Sequence, residues 1–466
     1  MIIDILFEKI DENNYFISSH SGANTFLKKN EFISVVENRM PSYLFRKLYT
    51  LGMIVGKENE KRYISNYLKL NRYLFSPPTL HIVVLTTKCN HACVYCRAKP
   101  EGTKIIDMNF KTAQKTIDFI FSVPSDHITV EFQGGESFIN WKVFEESVLY
   151  INEKNRKKAK DVLITIVTNL SLMNSKKLEF IMKNNISLCT SLDGPCEIHN
   201  TNRIYFAQDS YKNTILWLSK IIKLTSTIKK GQPDSLPSAL MTTTRISLKR
   251  WKEIIDEYRN LSLGGIFIRP LSPIGYASSR WNEIGYTPDE FLEFYEKSLD
   301  YIIEINREEK FIERNAAIKL KKILFNEDPN YLDLRSPCGS VIGQMAYYPD
   351  GGIYTCDEGR MIENKGENIF KIGDVFSSSY KSIIKSLKSK AVIYSSNIDI
   401  YPQCSRCAFK PYCGVCPAFN YSTKGSLINI DFSNYWCVIE KGIFKILIKK
   451  LMKREIKDIF MRWFDA

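Results

Sequence analysis

From Thr79 onward the chain alternates short apolar runs with longer amphipathic stretches. The runs LHIVVLTT, HITVEF, VLITIVTN, ISLCTSLD, SALMTTT and GIFIRPLS are continuous and rich in β-branched residues, the pattern of parallel strands covered on both faces. Between them, NFKTAQKTIDFIF, NSKKLEFIMKNN, YKNTILWLSKIIK and LKRWKEIIDEYRN space their apolar residues as helices do. About six such units in roughly 200 residues predict an α/β parallel barrel, partial or complete, rather than a flat sheet. A barrel of this kind carries its chemistry at the C-terminal ends of its strands.

The flanking segments read differently. In residues 1–77, YFISSHSGANTFLKK predicts two short strands about a Ser-Gly turn, and NEFISVVENR and PSYLFRKLYTLGMIV predict helices entered through Asn30 or Pro41. This small α+β region ends at the stiff Ser76-Pro77-Pro78 step. Residues 78–275 hold the barrel units, 276–335 a helical connection, 336–440 a cysteine-rich, loop-rich region, and 441–466 a basic amphipathic helix. That helix is expected to pack back on the body, a membrane or acidic partner being the lesser reading. There is no internal repeat and no low-complexity tract.

Composition narrows the class. The 466 residues are 44% hydrophobic and 25% charged, which excludes wholesale disorder, a collagen-like repeat and a small disulfide scaffold. No apolar stretch approaches the roughly 18 residues that span a bilayer. The opening MIIDILFEKIDENN carries Asp4 and Glu8 and no basic run, unlike a signal peptide. A cytoplasmic, reducing setting is expected, where clustered thiols bind metal more often than they form disulfides. Lys and Arg number 65 against 51 Asp and Glu, a formal charge of +14. This charge is spread along the chain, so it reads as a solvated surface, and a nucleic-acid partner is not expected.

The cysteines carry the strongest signal. LTTKCNHACVYCRAK places Cys89, Cys93 and Cys96 in a C-x3-C-x2-C loop just after the first barrel strand. Such a loop can wrap three thiolates around one cuboidal [4Fe–4S] cluster and leave its fourth iron open for a substrate or cosubstrate. The competing reading is a zinc site completed by His91. Downstream, Cys338 and Cys356 flank a Pro-Asp-Gly-Gly hairpin turn, and Cys404, Cys407, Cys413, Cys416 and Cys437 follow. Seven clustered cysteines argue for metal, and the paired C-x2-C units also suit a structural zinc ribbon. Cys189 reads as a small core residue and Cys196 as a bystander.

The C-x3-C-x2-C loop, with Tyr95 before its third cysteine, resembles the signature of the radical SAM enzymes. The resemblance implies a partial (β/α)6 TIM-type barrel whose open iron chelates S-adenosylmethionine and reduces it to methionine and a 5′-deoxyadenosyl radical. Gly134-Gly135-Glu136 resembles the element that binds the methionine amino group, with Ser137 where the family usually has Pro. At later strand ends Asn169, Ser191 and Asp193 are candidates for the cosubstrate's ribose and carboxylate oxygens, and Arg203 for its carboxylate. His199 reads as a loop-stabilising residue. Thr242, Thr243 and Arg269 either face the barrel mouth or cap their strands.

The downstream cysteines resemble the SPASM extension of peptide-modifying radical SAM enzymes. By that resemblance Cys404, Cys407, Cys413 and Cys437 ligate one auxiliary Fe–S cluster, and Cys338, Cys356 and Cys416 hold another. Cys413 and Cys416 are one residue closer than the family pattern, and no extra Cys lies between Cys338 and Cys356, so the second cluster's fourth ligand stays open. Asp357, next to Cys356, resembles the general base proposed in related sulfatase-maturing enzymes, a hydrogen-bond acceptor behind the cluster ligands being the alternative.

Further segments, among them ALMTTTRISL and GIFIRPLSPIGYA, resemble the His-Xaa-Ser system radical SAM/SPASM maturases. This implies a ribosomally made precursor peptide with His-Xaa-Ser repeats, a companion radical SAM protein, and an electron donor such as flavodoxin or ferredoxin. The expected reaction is crosslinking, dehydrogenation or epimerisation, and residues 1–77 are read as a docking module for the peptide or as a lid on the barrel's base. Three other readings stay open: a formylglycine-generating sulfatase maturase, a zinc-bearing nucleic-acid binder and a catalytically inert scaffold.

Overall fold

The apolar runs pair as parallel strands in chain order. Leu80–Val84 (β1) lies beside His127–Gln133 (β2), then Asp161–Val167 (β3), Ser187–Ser191 (β4) and Ser238–Leu240 (β5). The computed structural model describes residues 2–98, 105–207, 209–228, 237–362, 368–431 and 433–465. Helices Phe110–Ser122, Trp141–Lys158, Ser175–Lys183, Ser210–Ile228 and Trp251–Asn260 alternate with or follow these strands. Asn109 and Asn174 start two of them by accepting from the backbone N–H of Thr112 and Lys177. Along β2, Ile128, Val130 and Phe132 are buried, whereas Glu131 and Gln133 line the barrel's cavity, as the two-residue period of a strand requires.

The expected partial barrel is present, with a sixth unit shorter than its apolar run. Only Gly265–Ile266 is strand, and it pairs with Ile312–Glu313. Pro270 within that run and Pro273 just after it supply no backbone N–H, and Thr243 N–H donating to Arg269 O (3.0 Å) joins the segment to the end of the fifth unit.

At the opposite edge the sheet grows by residues from the cysteine-rich region. Gln344–Tyr347 (β6) pairs parallel with β1. The Pro-Asp-Gly-Gly turn then returns the chain as Gly352–Tyr354 (β7), and Lys371–Asp374 (β8) completes the eight-stranded sheet. The cysteine-rich region is thereby fastened to the strand that precedes the first cysteine loop.

In the leading region the two expected strands, Asn14–Ser18 and Asn24–Lys28, are joined by Leu6–Lys9 in a three-stranded sheet, Ile2–Ile3 pairs with Ile54–Val55, and the helices are Lys29–Val36, Ser42–Leu51 and Glu60–Leu70. Pro41 does precede the second helix, whereas the first begins at Lys29 with Glu31 reaching back to the Lys28 N–H. The sheet lies against residues 407–412: Ser18 Oγ donates to Ala408 O (2.6 Å), Phe16 stacks on Phe409 with centroids 6.0 Å apart, and Asn24 Nδ2 donates to the Tyr412 hydroxyl (3.0 Å).

The closing basic segment forms two helices, Tyr435–Leu451 and Arg454–Arg462, broken at Met452-Lys453. Ile443, Phe444, Leu447, Ile448 and Phe460 are buried, and Lys450 pairs with Asp300 and Glu296 on Pro288–Ile305, so the segment packs on the body. Among the described residues no helix is long and apolar enough to cross a membrane.

Candidate functional site

The C-terminal ends of the strands open into a cavity of about 1020 Å³, which the cysteine-rich region closes from the other side. Cys89, Cys93 and Cys96 all line it. Their loop is held at several points. Ala92–Cys93 pairs antiparallel with Arg203–Ile204, Val94 N–H donates to Asn202 O (2.9 Å), and Tyr276 N–H donates to Cys96 O (3.2 Å). Gly275 permits this last approach. Its φ is +64°, and a Cβ there would lie 2.4 Å from Arg97 O. The PLSPIGYA segment therefore clamps the third cysteine.

Gly134 and Gly135 line the cavity and pack against the same loop. Gly135 N–H donates to Thr86 O and Glu136 N–H to Lys88 O, each at 2.8 Å. A Cβ on Gly134 would lie 2.5 Å from Thr86 O, and one on Gly135 would lie 2.1 Å from Lys88 O. Ser137, in the family's Pro position, donates to Val167 O (2.9 Å) and so ties the turn to β3.

Glu136 is buried at the cavity wall. Its Oε1 accepts from Phe138 N–H (3.0 Å) and the Thr168 hydroxyl (2.7 Å), and its Oε2 from Asn169 N–H (2.7 Å). Burial pushes its pKa up, and these donors oppose the rise. Asn169 lines the cavity but spends its amide on Asn90 Oδ1 and His91 Nδ1, both at 2.9 Å. Ser191 and Arg203 also line the cavity.

Asp193 lies behind this wall, outside the cavity lining. It accepts from the Tyr95 hydroxyl (2.6 Å) and Thr242 N–H (3.1 Å), while Arg203 Nη1 donates to Tyr95 (2.8 Å). Thr242 lines the cavity, whereas Thr243 is buried. His199 sits in the adjoining network, its Nε2 3.0 Å from Ser210 Oγ.

The donor set suits an iron–sulfur cluster. Burial raises the Cys89 thiol to about 11 and Cys93 to about 12, Arg203 opposing it at both, so a bound metal must displace their protons. His91 offers no free ring nitrogen: Nδ1 accepts from Asn169, and Nε2 lies 3.0 Å from Ser210 Oγ. The ring stacks on Tyr205 (4.6 Å), and burial lowers its pKa to about 3. Among the described residues no three His, Cys, Asp or Glu side chains converge as one metal ion requires. A cuboidal cluster instead takes each thiolate on a different iron.

The other cysteines divide in two. The Cys413 thiol interacts electrostatically with Cys437, Cys407 and Cys404, and Cys416 with Cys338 and Cys356. Cys356 and Cys416 cap helices Asp357–Arg360 and Pro417–Lys424, their sulfurs accepting from Gly359 N–H (3.2 Å) and Phe419 N–H (3.4 Å). Backbone donors aimed at sulfur favour the thiolate form that binds metal.

The cavity is also lined by residues that stand in none of these motifs, Arg97, Glu131, Gln133, Asp333 and Glu358, beside the Lys319–Glu440 ion pair (3.1 Å). Asp357 and Arg269 also line it. Arg360 grips Asp357 Oδ1 through Nε (2.8 Å) and Nη2 (2.7 Å), and Nη2 also donates to Gln133 Oε1 (3.1 Å). Gln133 in turn donates to Glu131 (2.5 Å). The available signals were position alone: Arg97 follows Cys96, Glu358 follows Asp357, and Glu131 alternates with Gln133.

Residues 83–236 match the Radical SAM superfamily model. The chain is 35% identical over 124 residues to the uncharacterized protein MJ0907 of Methanocaldococcus jannaschii, a match covering 27% of this chain and only 41% of that protein. It is 24% identical to the radical SAM cyclopropyl synthase TigE of Paramaledivibacter caminithermalis, over 94% of this chain and 83% of that protein. It is 22% identical to a cysteine-type anaerobic sulfatase-maturating enzyme of Clostridium perfringens, over 81% and 98%. The fold resembles that of anSMEcpe with bound AdoMet (TM-score 0.67, 17% identity, 83% of this chain and 99% of that one). It also resembles that of Streptococcus suis SuiB bound to precursor peptide SuiA (TM-score 0.56, 14% identity, 93% and 99%). The chain thus carries a radical SAM domain and is related to the peptide-modifying and sulfatase-maturating radical SAM enzymes.

Proposed function

We propose that the protein binds S-adenosylmethionine on a cluster held by Cys89, Cys93 and Cys96 and modifies a ribosomally made peptide by crosslinking, dehydrogenation or epimerisation. The observation that carries this reading is the shared cavity. Three thiols, Glu136 and Arg203 line its barrel side, and Asp357, Glu358 and Cys416 line the other. Once bound, the first cluster with S-adenosylmethionine would supply a 5′-deoxyadenosyl radical for hydrogen abstraction, and for crosslinking or dehydrogenation auxiliary Fe–S centres would supply the electron acceptor.

The chain's own residues bind and orient. Glu136 receives the methionine ammonium and Arg203 its carboxylate. Ser191 reaches the cosubstrate from β4, and Tyr95 and Asp193 hold Arg203 in place. Cys404, Cys407, Cys413 and Cys437 hold one auxiliary cluster, and Cys338, Cys356 and Cys416 the other. Asp357 takes the proton released as the peptide is oxidised.

The His-Xaa-Ser maturases remain the subgroup proposed, with a His-Xaa-Ser precursor, a companion radical SAM protein and a flavodoxin- or ferredoxin-type donor, in the cytoplasm. The leading region docks the precursor. Its Leu6–Lys9 edge is engaged by a bridge between Phe7 and Cys407; strand addition at the other edge, Asn24–Lys28, would have to displace Lys47 from the Phe26 carbonyl (3.0 Å). Alignment with TigE and SuiB over 94% and 93% of this chain favours peptide maturation over the sulfatase maturases, which align over 81%. The second reading, formylglycine formation, rests on that sulfatase-maturase similarity.

Co-expression with the short open reading frames beside the gene, followed by peptide mass measurement, tests the proposal. Loss of a hydrogen pair per event supports oxidative coupling or dehydrogenation. An unchanged mass with altered stereochemistry supports epimerisation. A Cys or Ser oxidised to formylglycine in a sulfatase supports the second reading instead.

A further inference from the structure

The Leu6–Lys9 strand of the leading region reaches the quartet Cys404, Cys407, Cys413 and Cys437 directly. Phe7 forms a parallel bridge with Cys407. The neighbouring Glu8, its side chain only 15% exposed, pairs with Lys441 (3.0 Å) and Lys445 (2.6 Å) on the helix that begins beside Cys437. Lys441 thus stands between a carboxylate from the leading region and two thiols of the quartet. Burial raises the pKa of Cys407 and Cys437; the Lys441 charge opposes this at both, and Glu8 adds to it at Cys407. A second Lys–carboxylate pair, Lys410 with Asp399 (2.5 Å), flanks Cys404 from within the cysteine-rich region itself. Glu8 is the carboxylate of this set that belongs to a different structural unit.

We propose that Glu8, acting through Lys441, sets how readily a cluster held by Cys404, Cys407, Cys413 and Cys437 accepts an electron, so that the leading region tunes the outer auxiliary site. Charge arranged near an iron–sulfur cluster and hydrogen bonding at its sulfurs shift its potential. With Glu8 in place, Lys441 is partly neutralised; without it, the full ammonium charge faces Cys407 and Cys437 and favours the reduced cluster. Any displacement of the Leu6–Lys9 strand has the same sign, so the state of the leading region is felt at the quartet. The inference rests on reading the quartet as cluster ligands.

The test is an EPR-monitored redox titration of anaerobically reconstituted full-length protein, without S-adenosylmethionine or peptide, in a Cys89/Cys93/Cys96→Ala background. Glu8→Gln is expected to move an auxiliary midpoint to more positive potential, Lys441→Met to more negative, and the double variant to fall between them. Lys445→Met, which removes the partner of Glu8 away from the thiols, should move it less than Lys441→Met. Equal midpoints in all variants with a full iron complement overturn the inference alone. Zinc in place of iron at the quartet overturns the reading beneath it.

Discussion

Arg203 donates to the Tyr95 hydroxyl across 2.8 Å, and that hydroxyl is itself committed to the buried Asp193 carboxylate. Tyr95, one residue before the third cysteine, therefore positions the guanidinium proposed to bind the cosubstrate's carboxylate. Hydrogen bonds to charged groups contribute about 1.5–3 kcal/mol each. Tyr95→Phe should weaken S-adenosylmethionine binding by about tenfold or more, with iron content unchanged, as equilibrium binding and iron determination will report. Unaltered affinity would remove Tyr95 from this role.

Gly135 has no room for a methyl group, because its Cβ would fall 2.1 Å from Lys88 O and 3.0 Å from Cys89 Cβ. Gly135→Ala must part the Gly-Gly-Glu turn from the cysteine loop, and overpacking of this kind costs about 1–3 kcal/mol. The variant is expected to lose iron at the first site while the auxiliary cysteines keep theirs. Full loading would show that the pairing is dispensable.

Arg360 binds Asp357 and Gln133 together, joining the short helix after Cys356 to the strand that leads into Gly134. Asp357→Asn should cut product formation about a hundredfold or more, the usual weight of a general base, while 5′-deoxyadenosine continues to form. Arg360→Met should uncouple the two in the same direction, and Arg360→Lys should restore part of the coupling. The ratio of 5′-deoxyadenosine to modified peptide is the quantity to measure. Parallel loss of both products would place these residues in cosubstrate binding instead.

Much of this architecture is legible in residue order, and the rest is hidden for identifiable reasons. The runs at Leu80–Val84, His127–Gln133 and Asp161–Val167 announce themselves because buried parallel strands need unbroken apolar residues. Gln344–Tyr347 gives no such sign: its sequence QMAY takes strand form by joining the edge of Leu80–Val84, a pairing between distant segments. The site follows the same division. Cys89, Cys93, Cys96 and Glu136 stand in short motifs, whereas Glu131, Arg97 and Asp333 meet only through the fold. The glycines of the Gly-Gly-Glu turn were readable as a close approach, but what they approach is the cysteine loop's own backbone.

Asp4 holds the leading region together through His20 and Tyr63, accepting from the His20 N–H (2.9 Å) and the Tyr63 hydroxyl (2.7 Å). Burial pushes its pKa up, but these partners outweigh burial and hold it below the ordinary carboxylate value. A folded-state pKa depressed in this way stabilises the region above the unfolded value and loses that contribution as pH falls through the folded one. Amide protection in the leading sheet should therefore decline on acidification below about pH 4. Asp4→Asn should be less protected at neutral pH and lack this acid step. An identical acid profile in the variant would assign the step to another group.

The central claim is that Cys89, Cys93 and Cys96 hold a cluster that activates S-adenosylmethionine. Anaerobically reconstituted, reduced protein incubated with S-adenosylmethionine, and analysed for 5′-deoxyadenosine by liquid chromatography and mass spectrometry, tests it most directly. The account predicts 5′-deoxyadenosine from the wild-type protein and none from Cys93→Ala. Its absence from wild-type protein with a full iron complement would contradict the account.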